Sequence, residues 1–246
     1  MGLLALLYGW FCYAAFLAVF GYLVLFVGDL GVARSVSRGP ATPAGFALAV
    51  DLTLLALFAV QHSLMARPGF KRAWARLVAP PLERSTYVLL SSVALALLFL
   101  FWCPLPGEVW AFQNRAARVA LWGVFGGGFA LVLYSTFLIS HLDLFGLRQV
   151  WARFKGQPYR PREFRAGTLY GVVRHPLMLG FLLAFWGTPR MTLGHLLFAG
   201  AMTAYIILGT LLEEQDLLRT LGPAYASYRK RVPRFLPKVS LRGPRP

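Results

Sequence analysis

The chain has 246 residues, of which 58% are apolar, and its 25 lysines and arginines against nine acids give a net charge of +16. Ordinary soluble domains average about 45–50% apolar residues, so this composition excludes a typical water-soluble protein. Lipid offers no hydrogen bonds to a polypeptide backbone, and long apolar stretches separated by polar loops therefore predict an all-α transmembrane bundle.

Six apolar segments follow one another along the chain, each close to the roughly 20 residues that cross a bilayer. They cover residues 4–27, 46–65, 87–103, 119–140, 171–188 and 193–212. The first has no basic residue ahead of it and is too long for a cleavable signal peptide, so it is predicted to be a span. The fifth is the weakest, because its purely apolar part runs only from Leu177 to Thr188. Five to six membrane helices are therefore expected, the fifth either spanning or partly re-entrant.

Basic residues are distributed unevenly between the predicted loops. Twenty of the 25 lie in residues 66–86, 141–176 and 219–246, and the alternate loops hold the other five. Helical membrane proteins concentrate Lys and Arg on the cytoplasmic side. The pattern predicts a cytoplasmic (inner) membrane protein with both termini in the cytoplasm, and it accounts for the net charge without nucleic acid as a partner.

The chain is predicted to form one membrane domain over residues 1–237, followed by a disordered tail at 238–246 that is rich in Pro and Arg. Polar groups are sparse in the spans of residues 1–118 and dense further on, so the chemistry is expected in residues 119–237. Small residues within spans are assigned to packing: glycines 126–128 favour close helix contact, and Cys12 and Cys103 indicate neither a disulfide framework nor a metal site.

A basic pair and an acidic pair fall on the same predicted side of the membrane. Arg174 and His175 precede Pro176, which suits the first turn of a helix and puts both at its mouth. Free backbone donors there would suit a carboxylate, although a basic topology anchor is the ordinary alternative. Glu213 and Glu214 end the sixth segment, where they are either a structural ion pair or cation-binding carboxylates.

Two histidines close apolar segments at this same predicted face. His62 ends the second segment, and His141 ends the fourth, with Asp143 and Arg148 just after it. Together the histidines could bind haem or a metal, or could line a substrate pocket, whereas a snorkelling polar helix end is the ordinary alternative for either one. His195, at the opposite face, is interpreted as part of an interfacial turn.

Four elements taken together resemble the membrane methyltransferases related to isoprenylcysteine carboxyl methyltransferase and to the phospholipid methyltransferases. They are Arg174-His175-Pro176-Leu177-Met178-Leu179-Gly180, Glu213-Glu214, Gly222-Pro223-Ala224-Tyr225-Ala226-Ser227-Tyr228 and Val232-Pro233-Arg234-Phe235-Leu236-Pro237. Residues 61–71, 140–151, 185–192 and 194–199 resemble the methanethiol S-methyltransferases more closely, a group that includes proteins similar to the denitrification-associated protein NnrU. The resemblance covers nearly the whole chain. It departs at Met178, where the broader family often has Tyr.

The resemblance implies S-adenosylmethionine-dependent methylation of a small thiol, most directly methanethiol to dimethyl sulfide. An isoprenylcysteine-like or lipid acceptor is the alternative. It also implies that the cofactor is surrounded by Arg174, His175, Pro176, Gly180, Glu213 and Glu214. The two acids are expected to attract the cofactor's ammonium or sulfonium, and backbone donors near His175 its carboxylate. Tyr170 and Trp186 are expected to contact the adenine or the sulfonium by cation–π attraction.

Methyl transfer to a thiol also requires removal of the thiol proton. His141 or Asp143 is the expected acceptor, and the ordinary pKa of histidine, about 6.5, suits this better than the value of about 3.9 for aspartate. Arg148 is expected to hold the thiolate or to orient Asp143. The expected partners are a small thiol and membrane lipid, with no metal.

Two other classes of function compete with this interpretation. A haem- or quinone-linked membrane protein would use His62 and His141. A transporter or accessory subunit would have no chemistry, but the pair of polar-interrupted spans in symmetry-related positions that is typical of many transporters is missing. Oligomeric state is not predicted, because lipid-facing and partner-facing apolar surfaces have the same composition.

Overall fold

The computed structural model describes residues 2–160 and 168–237. In chain order its elements are α1 (Gly2–Gly28), α2 (Ala44–Ala66), α3 (Pro68–Trp74), α4 (Pro80–Phe101), β1 (Glu108–Ala111), α5 (Arg115–Ile139), α6 (His141–Leu144), α7 (Leu147–Phe154), a 3-10 turn (Thr168–Gly171), α8 (Pro176–Trp186), β2 (Arg190–Thr192), α9 (Leu193–Leu221) and α10 (Pro223–Arg231). Within the described residues, α1, α2, α4, α5 and α9 are long and apolar enough to cross a membrane. The all-α bundle is therefore confirmed, and the chain is an integral membrane protein. The predicted tail at 238–246 lies outside the described residues.

The loops between the helices gather at two ends of the bundle. One end, here called the motif face, contains residues 67–79, 140–160, 168–175 and 222–237 and is held together by contacts such as the ion pair from Arg67 to Asp216 at 2.7 Å. The other end, the strand face, contains residues 29–43, 102–114 and 187–192. There β1 and β2 pair antiparallel, and Trp102 donates to the carbonyl oxygen of Val36 at 3.2 Å.

The fifth predicted segment crosses the bundle with an unusually short helix. Pro176 is the first residue of α8, and the helix ends after 11 residues. At 1.5 Å per residue it is about 16 Å long, well short of the roughly 30 Å hydrocarbon core. The chain nevertheless reaches the strand face, because β2 follows directly and pairs with β1 in the loop between α4 and α5. The partly re-entrant alternative is therefore wrong: the segment crosses without a full-length helix.

The sixth segment extends further than its apolar composition indicates. Its apolar run ends at residue 212, whereas α9 continues to Leu221 because the residues that follow are good helix formers. Gly222 then ends the helix with a φ of +55°, which glycine adopts without strain. Glu213 and Glu214 consequently lie inside a continuous helix, and consecutive helical residues point in different directions.

Helices α5 and α8 are in backbone contact through glycine. A Cβ placed on Gly128 would lie 2.6 Å from the carbonyl oxygen of Gly180, and one placed on Gly180 would lie 2.7 Å from the carbonyl oxygen of Gly128. A Cβ on Gly126 or on Gly127 would meet nothing within 4 Å. Close packing is therefore confirmed for Gly128 alone among the three consecutive glycines of α5.

Aromatic side chains fill the core on the side of the strand face. The rings of Phe26, Trp102 and Phe198 are fully buried, and their centroids are 5.8 to 5.9 Å apart in each pair. Cys12 and Cys103 are buried and free, which confirms their packing role. Apolar packing therefore stabilises this half of the bundle.

Candidate active site

Glu214 lies on α9 at the centre of a cluster of cationic side chains. Arg174 donates to its Oε1 from Nε at 2.9 Å and from Nη2 at 2.8 Å. Arg234 donates to Oε1 at 3.1 Å and to Oε2 at 3.0 Å, and His175 Nε2 is 3.1 Å from Oε1. Only 2% of the Glu214 side chain is exposed. The basic motif that opens α8 and the acids of α9 therefore meet, and the structural ion pair is the interpretation that holds for Glu214.

The segment after α10 folds back across the mouth of α8 and completes this cluster. The backbone N–H groups of Arg174 and His175 donate to the carbonyl oxygens of Pro233 and Arg234 at 2.8 and 3.1 Å. Tyr228 donates its hydroxyl proton to the carbonyl oxygen of Tyr170 at 2.6 Å. These two backbone donors are therefore engaged within the protein, and the binding of a cofactor carboxylate by the remaining N–H groups in the first turn of α8 stays a prediction.

Glu213 differs from its neighbour in almost every respect. Its side chain is 55% exposed, and among the described residues it lies beside His175, whose Nδ1 is 3.8 Å from Oε2. Burial, then the nearby Glu213 carboxylate and Tyr228, raise the pKa of the Tyr170 phenol. Burial, followed by the charge of Glu214, likewise raises the pKa of Tyr225 to about 12. An accessible carboxylate thus lies beside neutral phenol rings, an environment that attracts a cation.

His141 is enclosed between α5 and α1. Thr136 donates its hydroxyl proton to the carbonyl oxygen of Leu133 at 2.7 Å, so it accepts from the N–H at His141 Nδ1, also at 2.7 Å. His141 Nε2 is left with a lone pair, which accepts from the Tyr13 hydroxyl at 2.7 Å. Burial lowers the pKa of the imidazole, which is therefore neutral at neutral pH. The ring is available to receive one proton at Nε2.

Asp143 is bonded to three donors. Arg148 forms an ion pair with its Oδ2, Ser140 donates to the same atom at 2.7 Å, and Tyr159 donates to Oδ1 at 3.1 Å. Both carboxylate oxygens are thus engaged with neighbouring side chains. Arg148 lies in position to orient Asp143, which was one of its two expected roles.

The remaining histidines belong to other networks. His62 lies between α2 and α4, where its Nε2 is 2.8 Å from the Tyr87 hydroxyl and its Nδ1 is 3.1 Å from Ser91 Oγ. Both ring nitrogens of His62, like those of His141, are thus engaged with hydroxyl groups, an arrangement that does not favour haem or metal ligation. His195 Nε2 is bonded to the carbonyl oxygen of Phe185 at 2.9 Å, in keeping with a role in the turn before α9.

Three of the expected cofactor residues belong to α8 and not to the Glu214 cluster. Trp186 ends α8, about 16 Å along the helix from His175, and its indole donates to Thr203 Oγ1 at 2.9 Å. Gly180 faces the backbone of Gly128 in α5. Pro176 is buried as the first residue of α8. These three residues shape the helix that carries His175 and do not converge on the acids.

Sequence reasoning missed two residues of the candidate site. Arg234 could have been found, because it lies in the Val232–Pro237 motif. Tyr13 carried no signal, because a tyrosine in an apolar helix is ordinary and its partner His141 lies 128 residues away in the chain.

Comparison with known proteins finds no matching family model and no matching solved structure. Methanethiol S-methyltransferase from Mycobacterium tuberculosis is 53% identical over 234 residues, which cover 95% of this chain and 96% of that protein. Methanethiol S-methyltransferase 2 from Bradyrhizobium diazoefficiens is 50% identical over 237 residues, covering 96% and 91% respectively. Nurim from Homo sapiens is 35% identical over 178 residues, covering 69% and 68%.

Proposed function

We infer that this chain, which belongs to the family of the methanethiol S-methyltransferases, methylates methanethiol to dimethyl sulfide. The inference starts from identities of 46% or more to three proteins of that name, each over 95% or more of the chain. The protein is accordingly an enzyme, a methyltransferase embedded in a membrane, and its substrate is a small thiol.

We propose S-adenosylmethionine as the methyl donor. When bound, it supplies a methyl group activated by attachment to a positively charged sulfur. The observation that carries the proposal is the contrast between the paired acids: Glu214 is neutralised by arginines, and Glu213 is exposed beside His175. An accessible carboxylate with the Tyr170 ring close by fits a ligand that carries a sulfonium and an ammonium.

The proposed roles divide the site into residues that hold its structure together and residues that act on the donor and the thiol. Arg174, Glu214 and Arg234 support it, since their mutual hydrogen bonds tie α8, α9 and the C-terminal segment together. Glu213 attracts the cation, and His141 receives the thiol proton at Nε2. A thiolate and a sulfonium lose their charges as they react, so exclusion of water favours the step once the thiol is ionised.

We also propose that the motif face is cytoplasmic, in the inner membrane, with both termini on that side. Support comes from the sequence, which has 20 of its 25 basic residues in the predicted cytoplasmic segments 66–86, 141–176 and 219–246, and from the cytosolic origin of S-adenosylmethionine. A small apolar thiol dissolves in lipid and can enter from the side.

Membranes that contain this chain are expected to release dimethyl sulfide when supplied with methanethiol and S-adenosylmethionine, as measured by gas chromatography of the headspace. Membranes from the same cells without the chain are the control. Isoprenylated cysteine and phospholipid acceptors are offered in parallel, with a radiolabelled donor. Label transfer to one of these without release of dimethyl sulfide would contradict the proposed substrate.

Replacing Glu213 by glutamine is expected to weaken donor binding about 10- to 100-fold, because a hydrogen bond to a charged group contributes roughly 1.5–3 kcal/mol. Isothermal titration of the purified protein with S-adenosylmethionine measures the effect. Glu83→Gln is the matched control, since Glu83 is a partly exposed acid of the motif face that lies 3.9 Å from Lys71. Equal affinities for the two variants would remove Glu213 from the donor site.

A further inference from the structure

Tyr13 reaches from the first helix into the surroundings of His141. Its hydroxyl oxygen lies 2.7 Å from His141 Nε2, and the two rings meet edge to face with centroids 5.7 Å apart. The tyrosine is half-buried, whereas only 8% of His141 is exposed. No other hydrogen bond joins the Tyr13 hydroxyl to residues 2–160 or 168–237. Its oxygen therefore keeps the capacity to accept a proton donor from a ligand.

A thiol cannot bond directly to either ring nitrogen of His141. Its Nδ1 donates to Thr136 and its Nε2 accepts from Tyr13, so neither nitrogen has a vacant position. Phe137 stacks on the ring with centroids 4.4 Å apart and planes 7° from parallel, and Phe145 lies 4.8 Å away. A thiol proton can reach Nε2 only by way of the group that is already bonded to it.

The surroundings of Tyr13 suit contact with a small apolar molecule. Phe16 and Phe145 stack with centroids 4.0 Å apart, and Tyr13 contacts both rings at 6.3 and 5.7 Å. A methyl group can pack against these apolar rings, while the phenol oxygen offers a polar contact for the S–H. This combination matches the two ends of methanethiol.

The helix register puts this group at the level of the α8 mouth. Along the antiparallel contact of α5 with α8, Gly128 meets Ala184 and Val132 meets Gly180. Each step of four residues is about 6 Å of helix, so the next step pairs Thr136 with Pro176. Thr136 is the hydroxyl bonded to His141, and Pro176 follows His175. The two polar clusters thus lie at a similar depth on neighbouring helices.

We propose that Tyr13 is a catalytic residue that takes the thiol proton and passes its own phenolic proton to His141 Nε2. This rests on the proposed function and adds a residue of the first helix to it. As the S–H proton moves to the Tyr13 oxygen, the thiol sulfur forms a bond to the methyl carbon. The bond from that carbon to the sulfonium sulfur breaks, and its electron pair stays on the leaving sulfur. His141 becomes an imidazolium and later loses the extra proton to water.

Tyr13→Phe is expected to lower kcat for methanethiol about 100-fold, the usual contribution of general acid–base catalysis, while donor affinity stays unchanged. The same variant should lose less than about 10-fold with 2,2,2-trifluoroethanethiol, a more acidic thiol that needs less help to ionise. Tyr8→Phe is the matched control in the same helix, where Tyr8 is bonded to Thr86 Oγ1 at 2.9 Å and is expected to be dispensable.

A second readout does not depend on turnover. The chain has four histidines, so spectra of protein labelled with ¹⁵N-histidine are simple enough to assign with His141→Gln. His141 is expected to show a protonated Nδ1 and a hydrogen-bonded Nε2, and Tyr13→Phe should shift the Nε2 signal towards that of an unbonded nitrogen. Tyr8→Phe should leave it in place.

The possible outcomes distinguish failure of this inference from failure of the proposed function on which it rests. A wild-type protein that methylates no thiol rejects the proposed function. A wild-type protein that methylates methanethiol, with a Tyr13→Phe variant equally active, rejects the relay alone. An equal loss for both thiols in a folded Tyr13→Phe protein also rejects it, because Tyr13 would then contribute to shape and not to proton transfer.

Discussion

Glu214→Gln is expected to abolish methyl transfer and to lower the stability of the folded protein. The substitution keeps the size of the side chain but removes the buried negative charge that Arg174 and Arg234 pair with, beside His175. Breaking a buried ion pair by removing one partner costs about 3–5 kcal/mol, because the remaining charge is left without compensation. Thermal unfolding in detergent measures the loss of stability, and the headspace assay measures the loss of turnover.

Glu108→Gln is the matched control for this prediction. Glu108 also pairs with an arginine, since Arg190 Nε lies 3.1 Å from Oε2, but both side chains are about half exposed or more. Exposed pairs contribute roughly 0–1 kcal/mol, so little change is expected. Glu213→Gln should behave differently from both variants, with weaker donor binding at nearly unchanged stability. If Glu214→Gln unfolds at the wild-type temperature and turns over normally, the buried cluster is not what holds the site together.

Gly180→Val is expected to force α5 and α8 apart and to reduce activity by at least about 10-fold. A Cβ at this position would lie 2.7 Å from the carbonyl oxygen of Gly128 and 2.9 Å from the backbone nitrogen of Val132. Those are backbone atoms of a helix, which cannot move aside as a flexible side chain can. Overpacking costs about 1–3 kcal/mol, and here it also displaces the helix that carries His175. Unfolding temperature and turnover are the measurements.

Three glycines of one helix provide the control. Gly128→Ala should destabilise, because its Cβ would approach the Gly180 carbonyl oxygen to 2.6 Å. Gly126→Ala and Gly127→Ala meet nothing within 4 Å and should be neutral or stabilising by roughly 0.5–1 kcal/mol, the helix preference of alanine over glycine. Identical unfolding temperatures for Gly128→Ala and Gly126→Ala would show that α5 and α8 do not need this close approach.

Local features of the sequence were sufficient to predict the membrane class and the meeting of the basic motif with the paired acids. Hydropathy is a property of each segment by itself, so the five full-length spans can be found without knowing how they pack. Successive loops alternate between the two sides of the membrane, and this alternation puts Arg174 and His175 on the same side as the paired acids. Their convergence could be predicted because it required only topology and a motif.

The different environments of the two adjacent acids could be determined only from the tertiary structure. Glu213 and Glu214 have the same chemistry and are neighbours in the chain, but about 100° of helix rotation separates them. The buried side of α9 is marked by Met202, Ile206, Thr210 and Glu214, at intervals of four residues. Lipid-facing and core-facing residues are both apolar in a membrane helix, so this stripe leaves no periodic signal in the sequence.

The sequence by itself therefore determined that this protein crosses the membrane and that its basic motif and paired acids share one end of the bundle, because composition and spacing are local. Only the tertiary structure decided which carboxylate is engaged and which is accessible, that α8 is too short to span as a helix, and that Tyr13 is bonded to His141. Those outcomes depend on contacts between distant parts of the chain, and side-chain direction within an apolar helix is set by its neighbours and not by its own residues.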